Sequence, residues 1–252
     1  MSRTALFVTC LVDQFFPQVG AAAVRLLQGT GCEVDIPLEQ TCCGQPAFNS
    51  GYHEEARTLA RRFIDIFEPY DRVVAASGSC VSMTRIFYGE LLEGSDLGRR
   101  WHALSERLFE LSEFLGTQDF QPVSPFQGRV AYHASCHSLR ELGVDRAPRE
   151  LLASVPGVEL VDLQDAEVCC GFGGTFSVKM PEISGAMLNA KLDAAEASGA
   201  DVLTATDCGC LMHLNGALRR RQSTLRTLHL AEILSPENAV STENAVSTVE
   251  NG

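Results

Sequence analysis

Residues 5–10 read ALFVTC and residues 129–136 read RVAYHASC, so two short β-rich runs each end at a cysteine. Helical and β-rich segments then alternate in the same order after both runs. They lie near 14–28, 32–36, 51–67 and 72–77 in the first half, and near 146–154, 158–163, 175–198 and 201–206 in the second. Strands that alternate with helices form parallel sheets. The sequence therefore predicts an α/β protein with two similar, Rossmann-like βαβαβ halves.

The remaining segments suggest where the two halves divide. Two further helical stretches are predicted near 81–93 and 100–115, before a joint rich in Pro and Gly, QPVSPFQG, at 121–128. A helix near 211–221 and a strand with a turn of helix at 224–234 complete the second half. We therefore predict one domain at 1–120 and another at 129–234. The last stretch, 236–252, repeats ENAVST in tandem and is predicted to be a disordered tail.

Four cysteine positions recur in both halves. Cys10 matches Cys136, the Cys42-Cys43-Gly44 triplet matches Cys169-Cys170-Gly171, and Cys80 matches Cys210. Matched positions lie 126 to 130 residues apart, so the spacing hardly changes between the copies. Four matched positions, with adjacent cysteines in each copy, indicate a duplicated binding unit.

The predicted strand order explains how such distant cysteines can meet. In each half the first cysteine follows the first strand, the Cys-Cys-Gly triplet follows the second, and the last cysteine follows the third. The carboxyl ends of parallel strands share one edge of the sheet, where such folds bind ligands. We therefore expect each half to gather four thiolates at one edge.

Four thiolates without a fixed histidine suit either zinc or an iron-sulfur cluster. Structural zinc sites usually contain two Cys-x-x-Cys knuckles, which neither half has, so we favour a cluster of the 4Fe-4S type in each half, with zinc as the alternative. Burial as small apolar side chains is the competing interpretation. The glycine after each cysteine pair would turn the chain tightly and direct N–H groups toward sulfur.

Two of the ten cysteines lack a repeat partner. Cys32 begins a predicted core strand, so we interpret it as a packing residue. Cys208 lies two residues before Cys210, in the string DCGC, and could be a fifth ligand of the second site.

Charged and ionisable residues near the cysteines are weaker candidates. His133 and His137 flank Cys136 and His213 follows Cys210; each could donate a proton or bind metal, but we favour a capping role. Arg85, Arg140 and Lys179 follow the cysteine motifs and could pair with a carboxylate substrate. Ordinary helix-surface charge is the simpler interpretation of these three.

Composition excludes several classes of function. A net charge of −12 opposes binding to nucleic acid or to an anionic membrane. The longest apolar runs fall short of the roughly 20 residues that span a bilayer, and Asp13 and Pro17 interrupt any signal-peptide pattern. We therefore expect a cytoplasmic protein that is not integral to a membrane. Dinucleotide, phosphate-loop and hydrolase-elbow motifs are also absent from the sequence.

The duplicated cysteine motif resembles that of the CCG-domain, or cysteine-rich-domain, family, which includes one component of heterodisulfide reductase and the iron-sulfur component of glycolate oxidase. The longer strings FVTCLVDQFFP, CCGQPAFNSG, CCGFGGTFSVKM and DCGCLMH look most like the lactate utilization protein A branch, from about residue 4 to about 234. That resemblance implies an oxidoreductase component of a multi-protein iron-sulfur system that oxidises L-lactate to pyruvate, with lactate utilization proteins B and C as partners.

The sequence departs from the heterodisulfide reductase pattern at one point. That pattern ends each motif with Cys-x-x-Cys, but Ser77 and Asp207 stand here in place of the first cysteine. Five-cysteine ligation is therefore in doubt, especially in the first half. Three functions remain open from sequence: an electron-transfer subunit, a subunit whose cluster acts on lactate or a disulfide, and a zinc-stabilised scaffold.

Overall fold

The computed structural model describes residues 3–118, 120–122 and 125–235. The tail predicted at 236–252 lies outside the described residues. None of the helices in the described ranges is both long enough and apolar enough to cross a membrane.

The described strands form two parallel four-stranded sheets. The first sheet has the order β2-β1-β3-β4 and the second the order β6-β5-β7-β8. The strands are β1 (Arg3–Leu6), β2 (Glu33–Asp35), β3 (Arg72–Ala75), β4 (Leu108–Glu110), β5 (Gly128–Tyr132), β6 (Val158–Val161), β7 (Val202–Ala205) and β8 (Arg226–His229). The same order in both sheets confirms the predicted pair of Rossmann-like α/β halves.

Helices connect the strands on both faces of each sheet. In the first half they are α1 (Cys10–Phe15), α2 (Pro17–Gly29), α3 (Gln45–Asn49), α4 (His53–Phe67), α5 (Gly78–Ser82), α6 (Tyr88–Leu92), α7 (Asp96–Ser105) and α8 (Leu111–Gly116). In the second half they are α9 (Arg146–Ser154), α10 (Thr175–Lys179), α11 (Pro181–Ala197), α12 (Cys208–Arg221) and α13 (Leu230–Leu234). Two π-helical segments, Met83–Phe87 and His137–Glu141, follow Cys80 and Cys136 closely.

A shared core joins the two halves. Alternate residues of a strand face opposite sides of the sheet, so Leu6 packs into the central core while Ala5 packs into the outer core of the first half. The central core is built from helices α2, α8, α9 and α13 together with residues of β1, β3, β5 and β7. The two halves are therefore packed against each other through a layer of helices from both.

Two predicted helices differ from the observed elements. The stretch predicted as a helix at 100–115 contains the edge strand β4, which pairs with β3 through Val74 and Phe109. Its short length allows tertiary pairing to override the helical pattern. The helix predicted at 175–198 breaks at Met180, because Pro181 opens α11 and cannot continue α10.

Candidate metal centre

The two cysteine sets line one cavity between the halves. We define the first set as Cys10, Cys42, Cys43 and Cys80, and the second set as Cys136, Cys169, Cys170 and Cys210. The cavity has a volume of about 190 Å³ and lies where the carboxyl ends of both sheets converge. Sequence reasoning predicted a site for each half but not that the two sites face the same space.

Local structure places the first set at three neighbouring strand ends. Cys10 is the first residue of α1, and its Sγ lies 3.9 Å from Cys42 Sγ. Cys43 is buried, and Tyr88 Oη donates a hydrogen bond of 2.8 Å to its carbonyl oxygen. Cys80 lies in the first turn of α5, directly after β3. Each element therefore contributes its cysteine at the same edge of the sheet.

The glycine of each triplet adopts a conformation that other residues rarely reach. Gly44 has φ of 85° and Gly171 has φ of 86°. This turn directs the Gly44 N–H to Cys42 Sγ at 3.4 Å and the Gly171 N–H to Cys169 Sγ at 3.3 Å. Both N–H groups stabilise negative charge on sulfur, as the glycine pattern predicted.

The thiols shift one another's pKa in the same way in both sets. Hydrogen bonds from Cys10 and then Cys43 lower the pKa of Cys42 to about 3, and the bond to Cys42 raises that of Cys10. In the second set, hydrogen bonds from Cys136 and then Cys170 lower the pKa of Cys169 to about 2.

This arrangement has a direct electrostatic consequence. In each set one thiolate is stabilised by the neighbouring thiols, so the loss of further protons would place like charges side by side in a half-buried site. A metal cation removes that repulsion, and sulfur is a ligand for soft metals. The donor sets therefore fit a thiolate-bound metal or cluster.

His133 adds a nitrogen to the second set. Its ring nitrogen and the sulfurs of Cys170 and Cys210 all lie within 4.8 Å of one another, and all three residues are buried. Contact with Cys170 lowers the pKa of Cys210 to about 6, and the adjacent His133 ring acts in the same direction. The sequence offered His133 as a proton donor or metal ligand, but a capping role was favoured. Comparison of the repeats could have drawn attention to His133, because the matched residue in the first half is the apolar Phe7.

Ser77 and Asp207, the residues in place of two expected cysteines, connect the halves. Asp207 Oδ2 accepts a hydrogen bond of 2.8 Å from the Ser79 N–H and one of 3.4 Å from Ser77 Oγ. Its other carboxylate oxygen accepts from the Gly209 N–H at the start of α12. These two positions therefore provide helix caps and a contact between the halves.

The unmatched cysteines occupy different surroundings. Cys32 lies outside the cavity, packs beside the central core and accepts a hydrogen bond of 3.2 Å from Thr30 Oγ1. Cys208 lines the cavity but belongs to the apolar central core, and burial is the main cause that raises its pKa. Negative charge at Asp207 and Glu232, and then at Cys80 and Cys210, raises this pKa further. The assignment of Cys208 as a ligand of the second site stays a prediction.

The other predicted site residues separate into two groups. His137 lines the cavity, with Nδ1 3.6 Å from Cys136 Sγ and Nε2 3.4 Å from Gln45 Nε2 of the first half. Arg85 instead forms an ion pair of 2.8 Å with Glu113 and donates to a main-chain carbonyl. Arg140 and Lys179 are exposed and, like Arg85, do not line the cavity. Their positions favour ordinary packing and surface roles over carboxylate binding.

Comparison with known proteins gives a consistent family. A family profile described as a cysteine-rich domain, CCG, matches residues 4–85 and 130–215. The chain is 46% identical over 242 residues to lactate utilization protein A of Exiguobacterium sp., covering 93% of this chain and 98% of the relative. It is 45% identical over 236 residues to the protein of the same name from Halalkalibacterium halodurans, covering 92% and 96%.

A solved structure shares the fold at much lower identity. A hypothetical protein from Helicobacter pylori superposes with a TM-score of 0.65 at 14% identity. The match covers 92% of this chain but 48% of that protein, so this chain corresponds to about half of its length. At this identity the likeness concerns the fold alone.

Proposed function

The chain belongs to the cysteine-rich-domain family and, within it, to the lactate utilization protein A family, and from this premise we propose that it is an iron-sulfur electron-transfer subunit. The system it serves would oxidise L-lactate to pyruvate, releasing two electrons and two protons per lactate. The observation that carries the proposal is the single cavity lined by two thiolate sets.

Each set in this proposal holds one cluster of the 4Fe-4S type. When bound, the clusters supply one-electron redox chemistry. The sulfurs themselves favour such a group because their mutual repulsion needs a cation and because they are soft ligands. The main-chain N–H groups of Gly44 and Gly171 donate to Cys42 and Cys169 and so reduce negative charge at these sulfurs. Such hydrogen bonds raise the reduction potential of a cluster.

The burial of the cysteines suggests the path for electrons. In both sets the first and second cysteines are half-buried, whereas the third and fourth are buried. Electrons would therefore enter or leave near Cys10 and Cys42 in one half and near Cys136 and Cys169 in the other. Both sets line the same cavity, which supports transfer between them without a further carrier.

The partners in this proposal are the lactate utilization proteins B and C, in the cytoplasm. The relatives at 45–46% identity carry the name lactate utilization protein A, which supports a role in lactate use. The sequence has no dinucleotide or phosphate-loop motif. Any organic cofactor that receives electrons directly from lactate would accordingly be bound by a partner.

Metal analysis of single-cysteine variants tests the proposal. After anaerobic purification we expect stoichiometric iron and acid-labile sulfide, with about half of each lost in Cys10→Ser and in Cys136→Ser, because each removes a ligand from one set. Cys32→Ser is the matched control and should retain the full content. Electron paramagnetic resonance (EPR) of the reduced protein should lose a different signal in each of the first two variants.

Zinc is the alternative outcome. Stoichiometric zinc without sulfide would overturn the electron-transfer proposal and favour a scaffold stabilised by zinc. Full iron content in Cys10→Ser would exclude the first set as proposed.

A second candidate function is chemistry on a small molecule within the cavity. The observation that favours it is that His137 and Gln45, one from each half, line the cavity together with the thiolates. His137 could hold a proton there for lactate or a disulfide. If lactate changes the EPR spectrum of the isolated protein and His137→Gln abolishes the change, chemistry on a small molecule is supported over electron transfer alone.

A further inference from the structure

His133 is a buried polar residue whose ring lies beside the Cys210 thiol and lowers the pKa of that thiol. It follows β5 directly, and its main-chain N–H donates a hydrogen bond of 2.8 Å to the Thr204 carbonyl, which ties it to β7. The side chain is fully buried. Among the described residues, neither ring nitrogen makes a hydrogen bond of ordinary geometry to a nitrogen or oxygen atom. Burying a polar group in this way is unfavourable, so a group outside the protein chain is the expected partner.

Two sulfurs of the second set lie close to the His133 ring. A ring nitrogen of His133 and the sulfurs of Cys170 and Cys210 lie within 4.8 Å of one another. Metals bond to histidine nitrogen at about 2.0–2.1 Å and to thiolate sulfur at about 2.3 Å. Small side-chain movements would thus bring the His133 nitrogen within bonding distance of a metal atom held by the second set. A neutral imidazole has the lone pair that this requires.

The first half has an apolar residue at the same place. The Phe7 N–H donates to the Val74 carbonyl at 2.8 Å, which is the same main-chain contact that His133 makes to β7. The Phe7 ring instead packs edge-on against Phe63 and Phe67, with centroid distances of 5.0 and 5.5 Å. The backbone of the repeat therefore accepts either side chain, and only the second half offers a nitrogen to its cysteines at this position.

We propose that a ring nitrogen of His133 is a ligand of the metal group held by the second cysteine set, so that the two halves contain chemically different centres. This inference rests on the proposed function, because it requires the second set to hold a metal. The first set has only sulfur donors at the matched positions. Beside the second set, His133 offers an imidazole that takes the place of one of the four thiolates.

The chemical consequence follows from charge. Imidazole is a neutral ligand, whereas thiolate carries a negative charge, so an imidazole that takes the place of one thiolate raises the reduction potential of an iron-sulfur centre. The second centre therefore has the higher potential, and electrons that enter at the first set move toward the second. The duplicated fold thus provides a direction for electron transfer that two identical sites would lack.

Pulsed EPR of the full-length chain tests the ligand directly. Protein carrying ¹⁵N-labelled histidine is compared with unlabelled protein after anaerobic loading and reduction. We expect a strongly coupled histidine nitrogen in the wild type, absent from His133→Phe, with iron and sulfide retained. His137→Gln is the control, because His137 also lies beside Cys136, and it should keep the coupling.

A second substitution guards against misfolding. His133→Cys keeps a metal ligand at this position but introduces negative charge, so it should lose the nitrogen coupling and lower the potential of one centre while the other is unchanged. Circular dichroism checks the fold of both variants, and the Phe side chain at the matched position 7 makes His133→Phe compatible with the backbone.

The outcomes separate the two proposals. Clusters present in the wild type without a coupling that depends on His133 would overturn the ligand assignment and leave the electron-transfer proposal intact. Zinc without sulfide would overturn the electron-transfer proposal. Zinc-edge X-ray absorption would then test the ligand assignment: loss of one nitrogen or oxygen scatterer in His133→Phe would support His133 as a ligand, and an unchanged spectrum would overturn it. A chain that binds neither metal overturns both.

Discussion

Gly44 and Gly171 occupy matched positions in the two Cys-Cys-Gly turns but have different neighbours. A Cβ atom added at Gly171 would lie 2.6 Å from the Ser184 carbonyl oxygen, which belongs to the backbone of α11. At Gly44 the nearest atoms are side-chain carbons of Leu59 at 3.4 Å, an ordinary contact distance. Both positions have positive φ, so both disfavour any other residue.

We therefore predict unequal effects of the same substitution. Gly44→Ala should destabilise the protein by about 1–2 kcal/mol, the cost of a left-handed conformation. Gly171→Ala adds a clash with backbone and should lose more stability together with the metal of the second set. Thermal unfolding and metal content per chain measure both effects. Equal losses in the two variants would show that the contact with α11 is unimportant.

Residue spacing made most of the candidate site predictable. The eight matched cysteines could be found because the repeat keeps both their order and the Gly after each pair. His133 received too little weight, since a histidine beside a cysteine resembles an ordinary cap in sequence. The place of its ring nitrogens beside Cys170 and Cys210 is visible only when the burial and the neighbouring atoms are known.

Helices α8 and α13 follow the last strand of each half, and each begins at a buried N-cap residue: an acidic side chain in α8 and a basic one in α13. Glu110 caps α8 by accepting hydrogen bonds from Ser112 and Glu113, and His229 caps α13 by accepting one from Ala231. Burial raises the pKa of Glu110 to about 7 and lowers that of His229 to about 4. The folded state therefore favours the neutral form of both side chains.

These shifts predict opposite pH dependences. The Glu110 pKa is raised, so its contribution to stability is present at acid pH and is lost as pH rises from about 4.5 through 7. Glu110→Gln should leave stability near pH 4 little changed but increase it by about 1–3 kcal/mol at pH 8. The lowered pKa of His229 makes its contribution disappear as pH falls from 6.5 through about 4.

His229→Asn is the matched variant, because Asn can also cap a helix. Relative to wild type it should gain stability as pH falls toward 4 and show no such trend above pH 7. Urea unfolding across pH 4–8 measures both variants. Parallel pH profiles for Glu110→Gln and wild type would contradict the assignment for Glu110.

Several elements lie where the sequence pattern predicts them. Helix α9 begins and ends where the sequence pattern indicates, and the strands predicted at 72–77 and 201–206 correspond to β3 and β7. Strand β4 was missed because its three residues lie within a stretch whose pattern predicts a helix, and only pairing with β3 makes them a strand. The residues around β4 give no sign that β3, more than thirty positions earlier in the chain, lies beside them.

Asp207 links the two halves beside the candidate metal centre. It accepts hydrogen bonds from Ser77 and Ser79 of the first half while it caps α12 of the second. Asp201 makes a comparable bond of 2.8 Å to the Arg129 N–H, but within the second half and near the surface.

We predict that Asp207→Ala affects both cysteine sets at once. Loss of these buried bonds should cost about 1–3 kcal/mol and change the EPR signals of both centres, since α5 and α12 carry Cys80 and Cys210. Asp201→Ala should change neither signal and cost less than about 1 kcal/mol. A change confined to the second centre would show that Asp207 does not couple the halves.

The sequence by itself determined the fold class, the duplication and the cysteines that belong together, because each of these depends on periodicity or on spacing along the chain. The tertiary structure alone decided that both sets line one cavity and that Asp207 bridges the halves. It also decided that the buried His133 lies beside Cys170 and Cys210 of the second set. These features depend on how two sheets pack through a common layer of helices. That packing brings together residues more than a hundred positions apart, and no local pattern records such contacts.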